Sequence, residues 1–135
     1  MWYLSNQKSA FEIRKFFTLK KGIVFSYYPD IYSPDNIILS SALIAHEIIH
    51  LAQQKEYGVE KWWIRYCEDK AFRLSQEIPA YQIQFKSIII KDRNKRFNYA
   101  VELAKELSGE TYGKMISFNE ALGAIKNEKV YQFKI

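Results

Sequence analysis

The order of apolar and polar positions along this 135-residue chain predicts a mainly helical fold that begins with a small sheet. Between residues 9 and 19, apolar side chains recur at roughly helical spacing and predict a first helix. Ile23–Tyr28 is instead rich in β-branched and aromatic residues, which predicts a strand that stops at a turn beginning with Pro29. Ser33–Asn36 predicts a second turn, and Ile37–Leu39 another short strand.

The rest of the chain predicts helices separated by residues that end helices. Ser40 or Ser41 can cap a helix that runs to Tyr57, with Gly58 in the terminating position. The later predicted elements are a helix over Val59–Cys67, one from Ser75 towards Ile90 with Pro79 near its start, one over Phe97–Leu107, a short one after the capping-box pattern Ser117–Glu120, and a strand at Val130–Phe133. The sequence therefore predicts one α+β domain over residues 1–135, mainly helical with a small N-terminal β-sheet.

The helix predicted up to Tyr57 contains the pentapeptide His46-Glu47-Ile48-Ile49-His50, which is an HExxH motif. Two histidines four residues apart on a helix lie on one face, so both imidazoles can reach the same zinc ion. Glu47 lies beside that face, where it can take a proton from zinc-bound water and deliver it to a leaving amine. His46 and His50 are therefore predicted metal ligands, and Glu47 the catalytic general base.

The helix around the motif is predicted to be amphipathic. Ile44, Ile48 and Leu51 fall along one mostly apolar line, which we expect to pack into the core. His46, His50 and Gln53 fall on a different line. That polar side is expected to line a cleft.

A catalytic zinc site of this kind needs a third protein ligand. The chain has two histidines in all, so the third ligand is expected to be a carboxylate. The extended three-histidine form is absent, because Gln53 replaces its glycine and Glu56 its last histidine. The downstream candidates for this carboxylate are Glu60, Glu68, Asp69, Glu77, Asp92 and Glu102.

Glu77 is the preferred third ligand. It follows His50 by 27 residues, which is enough chain to run out along one helix and return. The alternative is that Glu77 lies in the first turn of its own helix and interacts with the helix dipole.

These residues resemble a known group of enzymes. The HExxH motif, the aromatic segment Trp62–Tyr66 and the segment Glu77-Ile78-Pro79-Ala80-Tyr81 resemble the minimal gluzincin-type (HExxH…E) zinc metallopeptidases of phages and bacteria. The resemblance covers roughly residues 37–84 and implies a zincin-like domain with His46, His50 and Glu77 as zinc ligands. Pro79 departs from the pattern, since such segments often carry a second glutamate there.

A peptidase also needs a donor for the developing oxyanion, and Tyr81, Tyr66 and Arg73 are the candidates. In enzymes of this architecture a strand before the motif helix often holds the substrate backbone, which makes Ile37–Leu39 the candidate edge strand.

The net charge of +5 favours neither a membrane nor a nucleic acid as partner. Basic residues are densest at Lys91–Arg96, but only Phe97 lies near enough to add an aromatic ring for base stacking. No apolar run is long enough to span a bilayer, and the N-terminus lacks the pattern of a secretory signal. A single cysteine, Cys67, suits a reducing compartment, so a cytoplasmic protein is expected, in the host if the gene is of phage origin.

The sequence thus predicts a zinc-dependent metallopeptidase that hydrolyses a peptide or protein substrate. The alternative is a non-catalytic zinc-containing binding or assembly protein. Glu47 favours the enzyme, because a purely structural zinc site gains little from a general base beside its ligands.

Overall fold

The computed structural model describes residues 24–33 and 38–127, and the fold is α+β as predicted. It is mainly helical, with a two-stranded antiparallel sheet on its N-terminal side. In chain order the elements are β1 (Phe25–Tyr27), β2 (Asp30–Tyr32), α1 (Ser41–Tyr57), α2 (Val59–Glu68), α3 (Lys70–Ser87), α4 (Arg93–Leu107), a 3₁₀ turn (Glu110–Tyr112) and α5 (Phe118–Lys126). The predicted helix over residues 9–19 and the predicted strand at Val130–Phe133 lie outside the described residues.

The sheet is a tight hairpin. Phe25 pairs with Tyr32 and Tyr27 with Asp30, and Tyr28 and Pro29 form the turn. The strand predicted over Ile23–Tyr28 is thus present from Phe25 to Tyr27. The hairpin turns one residue earlier than predicted, because Asp30 already pairs with Tyr27 as the first residue of β2.

The helix that carries the motif has the predicted bounds, and its end signals are satisfied. The Ser40 hydroxyl accepts a hydrogen bond from the Leu43 amide at 3.1 Å, which caps the N-terminus. At the other end Gly58 has φ +100°, a conformation that L side chains rarely adopt. Its amide still donates to the carbonyl of Gln54 at 2.8 Å, and α2 begins at the next residue.

The helix that carries Glu77 begins earlier than predicted. It starts at Lys70 rather than near Ser75, because the Asp69 carboxylate caps it by accepting a hydrogen bond from the Phe72 amide at 3.1 Å. Pro79 therefore lies inside α3 and not near its start. The alternative role of Glu77, an interaction with the helix dipole from a first turn, is therefore excluded, since Glu77 lies in the interior of the helix.

The last helices follow their capping signals. Asp92 caps α4 by accepting from the Lys95 amide at 2.9 Å, so this helix starts before the predicted Phe97 and ends at Leu107 as predicted. The capping box is confirmed, with reciprocal hydrogen bonds between Ser117 and Glu120 at 3.1 Å.

The strand predicted at Ile37–Leu39 is wrong for the two of these residues that the structure describes. Ile38 and Leu39 belong to no strand, and the Ile38 side chain is 94% exposed. β-branched composition predicted a strand here, but neither residue pairs with β1 or β2. The predicted substrate-binding edge strand is therefore absent from this part of the described chain.

Two groups of buried apolar side chains form the core and meet at the motif helix. The first joins α3, α4, the 3₁₀ turn and α5 and includes Leu74, Ile78, Tyr81, Leu107 and Ile125. The second joins the hairpin, α2 and the start of α3 and consists of Phe25, Tyr32, Trp62, Trp63, Tyr66 and Phe72. The His46 ring contacts Tyr81 of the first group and the His50 ring contacts Trp62 of the second. Among the described helices, none has the length and apolar character needed to cross a membrane.

Candidate metal centre

The motif helix buries its polar face. Its buried residues are Ala42, His46, Glu47, His50 and Gln54. Ile48, which was predicted to pack into the core, is 39% exposed, and Ile44 and Leu51 are only partly buried. The prediction that this apolar line packs into the core is therefore wrong. Hydrophobicity alone places Ile48 inside, but the contacts of the histidines and the glutamate with α3 and the hairpin decide which face is covered.

The polar face of α1 converges on one oxygen of Glu77 from α3. Glu77 Oε1 lies 3.0 Å from His46 Nε2 and 2.9 Å from His50 Nε2. The two Nε2 atoms are 3.2 Å from each other. Two side chains one helical turn apart and a third from another helix thus point their lone-pair atoms at a common centre.

The size of this triangle fits a zinc ion. Ligand atoms about 2.1 Å from a tetrahedral zinc lie roughly 3.4 Å apart. The three edges of 2.9, 3.0 and 3.2 Å are slightly shorter than that, so a small outward shift of the side chains accommodates the ion. Two imidazole nitrogens and one carboxylate oxygen are also a donor set that zinc prefers in catalytic sites.

The other candidate carboxylates lie elsewhere. Glu60 and Glu68 are exposed on α2, and Glu102 is exposed on α4, where it pairs with Lys105. Asp69 and Asp92 cap helices α3 and α4. Of the six downstream candidates, the structure brings Glu77 to the histidines.

The outer nitrogen of His50 has a fixed partner. His50 Nδ1 lies 2.8 Å from Gln53 Oε1, and Gln53 Nε2 donates to the backbone carbonyl of Gln76 at 2.9 Å. Because a carbonyl can only accept, the Gln53 amide nitrogen must face Gln76, and its oxygen must face His50. His50 Nδ1 therefore carries a proton, which leaves Nε2 to bind a metal ion.

His46 is held by packing rather than by an outer hydrogen bond. Its Nδ1 is buried and has no hydrogen-bond partner among the described residues. The Tyr81 ring meets the His46 ring edge-on, with 4.8 Å between the centroids. His46 and His50 thus differ in the partner of their outer nitrogen.

The charges of Glu77 and His50 stabilise each other. Burial alone would raise the pKa of Glu77, but the His50 charge and hydrogen bonds from both histidines hold it well below its usual range. Burial alone would lower the pKa of His50, but the charge of Glu77 and a hydrogen bond to it raise that pKa to about 9. Without a metal ion the two side chains therefore form a buried ion pair at neutral pH.

The second oxygen of Glu77 is occupied by tyrosines. The Tyr66 hydroxyl donates to Glu77 Oε2 at 2.5 Å, and the Tyr112 hydroxyl donates to the same atom at 3.2 Å. Burial and the nearby Glu77 charge raise the pKa of both phenols well above its usual value. Both hydroxyls therefore stay protonated and serve as donors.

Glu47 lies beside the triangle and is anchored by the hairpin. The Ser26 hydroxyl lies 2.8 Å from the backbone carbonyl of Glu47 and 3.2 Å from Glu47 Oε2. Glu47 is 5% exposed, and burial raises its pKa despite the opposing charges of His46 and His50. A carboxylate whose pKa is raised in this way is better suited to take up a proton at neutral pH.

The outer edge of β1 is closed at Ser26 by side chains. In the register of the hairpin, Ser26 is opposite Ile31 at a position whose backbone groups point away from β2. The Ser26 carbonyl accepts from Gln54 Nε2 at 2.9 Å and from Trp63 Nε1 at 3.0 Å. This carbonyl is thus already paired and unavailable for strand addition by a peptide.

All three candidate oxyanion donors have other hydrogen-bond partners in this structure. The Arg73 guanidinium donates to the carbonyls of Tyr66, Cys67 and Thr111, at 2.7, 2.9 and 2.7 Å. Tyr66 donates to Glu77. Tyr81 has its hydroxyl 3.1 Å from that of Tyr112 and 3.3 Å from Glu106 Oε2.

A cavity of about 550 Å³ connects these groups to the surface. His46, Glu47, His50 and Glu77 line it. Its walls also carry the aromatic rings of α2 and the exposed Glu106 and Glu110. The volume falls in the range of small-molecule and peptide side-chain sites.

One ligand atom from each of His46, Glu47 and His50 lies within 4.8 Å of the others, so this buried cluster can hold a metal ion. Comparison of the chain with models of protein families, with curated proteins and with solved structures finds no match in any of the three. The assignment of a candidate metal centre therefore rests on the geometry of this chain.

Sequence reasoning missed two residues of the site, Ser26 and Tyr112. Ser26 had a signal, because it is the one polar residue between the apolar and aromatic positions of Ile23–Tyr28. Tyr112 had little signal in the sequence, since its contact with Glu77 spans 35 positions.

Proposed function

We propose that this chain is a zinc-dependent metallopeptidase in which His46, His50 and Glu77 hold the zinc ion and Glu47 is the general base. One observation carries the proposal: three lone-pair atoms of the right chemistry lie within 3.2 Å of one another, beside a buried glutamate, in an open cavity. A zinc ion bound there would lower the pKa of water towards 7 and polarise a peptide carbonyl.

The chain's own residues supply the proton transfers. Among the described residues, Ser26 alone hydrogen-bonds the Glu47 carboxylate, and it contacts Oε2. Glu47 Oε1 thus remains to accept a proton from a water molecule in the cavity. Glu47 then gives this proton to the leaving amine as the peptide bond breaks. Burial raises the pKa of Glu47, which favours uptake of this proton.

With Glu77 as the third ligand, a bound zinc ion would keep one coordination position for water or substrate. His50 is fixed through Gln53, and Glu77 offers Oε1 while Oε2 is held by phenols. Three protein ligands are the number typical of catalytic zinc sites, whereas structural sites use four. Among the described residues, Glu47 also has a carboxylate close enough to the two histidines to bind a metal ion, and we assign it the role of the base instead.

The test separates metal binding from turnover. Purified protein should contain about one zinc per chain and should cleave an unstructured protein such as casein. Glu47→Gln should retain the zinc and lose cleavage by 10²-fold or more, on the order of a general-base contribution. Glu60→Gln, the same change at an exposed position, is the control and should keep both the zinc and the cleavage activity. If Glu47→Gln binds zinc and keeps the full biological activity of the wild type, the non-catalytic binding or assembly protein is favoured instead.

A further inference from the structure

We infer that Tyr66 and Tyr112 are positioning residues for Glu77, which hold its Oε2 so that Oε1 alone faces the metal position. The inference rests on the proposed function, because it takes Glu77 to be the third zinc ligand. It concerns two side chains that the sequence did not assign to metal binding.

Both hydrogen bonds are buried, and the one from Tyr66 is short. Tyr66 Oη is 2.5 Å from Glu77 Oε2 and Tyr112 Oη is 3.2 Å from it. The three residues are 7%, 7% and 4% exposed. Water therefore competes weakly for these bonds, and charge-assisted bonds to a carboxylate are the stronger kind.

Arg73 fixes both tyrosines to the helix that carries Glu77. It lies one turn before Glu77 on α3. Its Nε donates to the backbone carbonyl of Tyr66 and its Nη1 to that of Thr111, the residue before Tyr112, each at 2.7 Å. The two phenols come from α2 and the 3₁₀ turn, and one guanidinium sets the position of both backbones relative to α3.

The consequence is a carboxylate with two unlike oxygens. Oε1 is 3.0 Å or less from both histidine Nε2 atoms, and Oε2 has two phenol donors. A carboxylate that binds through both oxygens occupies two coordination positions, whereas one that binds through a single oxygen leaves a position for water and substrate. The tyrosines thus set the coordination number as well as the orientation of Glu77.

The experiment compares Tyr66→Phe, Tyr112→Phe and the double variant with Tyr99→Phe. Tyr99 is the control, because its hydroxyl also makes a side-chain hydrogen bond, a partly buried one that it accepts from Gln84 Nε2 at 2.8 Å and that does not involve Glu77. Zinc affinity is measured by competition with a chromophoric chelator. Coordination is read from the visible absorption of the cobalt(II)-substituted protein, which a change in stability alone does not alter.

Loss of partners of a metal ligand typically lowers affinity tenfold to a hundredfold. We expect a loss of that order for Tyr66→Phe, a smaller one for Tyr112→Phe, and weaker cobalt(II) bands in the double variant as Oε2 also binds. Tyr99→Phe should match the wild type in both readouts.

The failure of this inference can be told apart from failure of the proposed function. If the wild type binds zinc and Glu77→Gln weakens it, but both phenylalanine variants keep the wild-type affinity and cobalt(II) spectrum, the tyrosines are structural and the inference is wrong. If the wild-type protein binds no zinc, the proposed function itself fails. If the variants lose thermal stability, the cobalt(II) spectrum of the folded fraction still decides.

Discussion

Glu77 Oε1 lies 2.9 Å from His50 Nε2, although the two residues are 27 positions apart on different helices. The intervening helix α2 and its two junctions bring these residues together. The chain leaves α1 at Gly58, runs along α2 and turns again at Asp69, so that α3 returns across the motif helix. Two tight helix junctions thus bring a carboxylate to the pair of histidines.

Glu77→Gln tests whether this contact is a metal-ligand contact. Glutamine keeps the size of the side chain but loses the charge and the anionic ligand atom. We expect zinc affinity to fall by at least about a hundredfold, since even outer partners of ligands are worth tenfold to a hundredfold. Isothermal titration with zinc would measure this, with Glu102→Gln, exposed on α4, as the control. An unchanged affinity would rule out Glu77 as the third ligand.

Gln53→Ala tests the outer partner of His50. The variant removes the acceptor of the Nδ1 proton, so the imidazole loses its fixed tautomer and orientation. We expect a tenfold to hundredfold loss of zinc affinity. Glu56→Ala on the exposed side of the same helix should have no such effect. Equal affinities for the two variants would mean that packing alone orients His50.

Ser26→Ala tests the positioning of the general base. The variant removes the hydroxyl that contacts both the carbonyl and Oε2 of Glu47, while the zinc ligands stay in place. We expect kcat for peptide cleavage to fall roughly tenfold and zinc affinity to stay the same. Ser75→Ala, which removes a hydroxyl that bonds a backbone carbonyl within α3, is the control. A parallel loss of zinc would assign Ser26 to the metal centre instead.

The buried His50–Glu77 pair makes the stability of metal-free protein depend on pH. His50 has its pKa raised from 6.5 to about 9, so its contribution is fully present below 6.5 and is lost as the pH rises through 9. Glu77 has its pKa lowered, so its contribution is present above about 4.5 and is lost in more acidic solution. When zinc is removed with a chelator, the midpoint of denaturation should therefore decrease as the pH is raised from 7 to 9.5.

The same variant that tests the ligand also tests this pH dependence. Glu77→Gln removes the charge that most raises the pKa of His50, so its midpoint should change less than that of the wild type between pH 7 and 9.5. The zinc affinity of the wild type should change in the opposite direction over the same pH range. Binding must displace the His50 proton, so the affinity should rise over this interval. A wild-type midpoint that is flat without zinc would contradict the ion pair.

Local signals explain what the sequence predicted well. The ends of α1 follow from Ser40 and Gly58, whose effects act within one turn, and the HExxH spacing needs only helical periodicity to bring two histidines together. Glu77 was the preferred ligand from chain length between helices, and the structure brings it to both histidines.

A missed local cap and several long-range contacts explain what the sequence predicted badly. Asp69 was weighed as a metal ligand, but it caps α3, and this cap moves the start of that helix to Lys70. Ile48 was expected inside and is partly exposed, since the histidines and Glu47 find their partners on α3 and the hairpin. Such partners lie 21 or more positions away, beyond the reach of a periodic pattern.

The buried polar face of α1 has a consequence for how the protein is made in the cell. A new chain that has folded without metal encloses two histidines and two glutamates in its interior, where charge is costly. A bound metal ion would offset that cost, so copies with and without the ion would differ in how often they open. Cellular proteases attack open states, and they would therefore remove the unloaded copies first. The buried face of the motif helix would in this way make the survival of a new copy depend on metal binding.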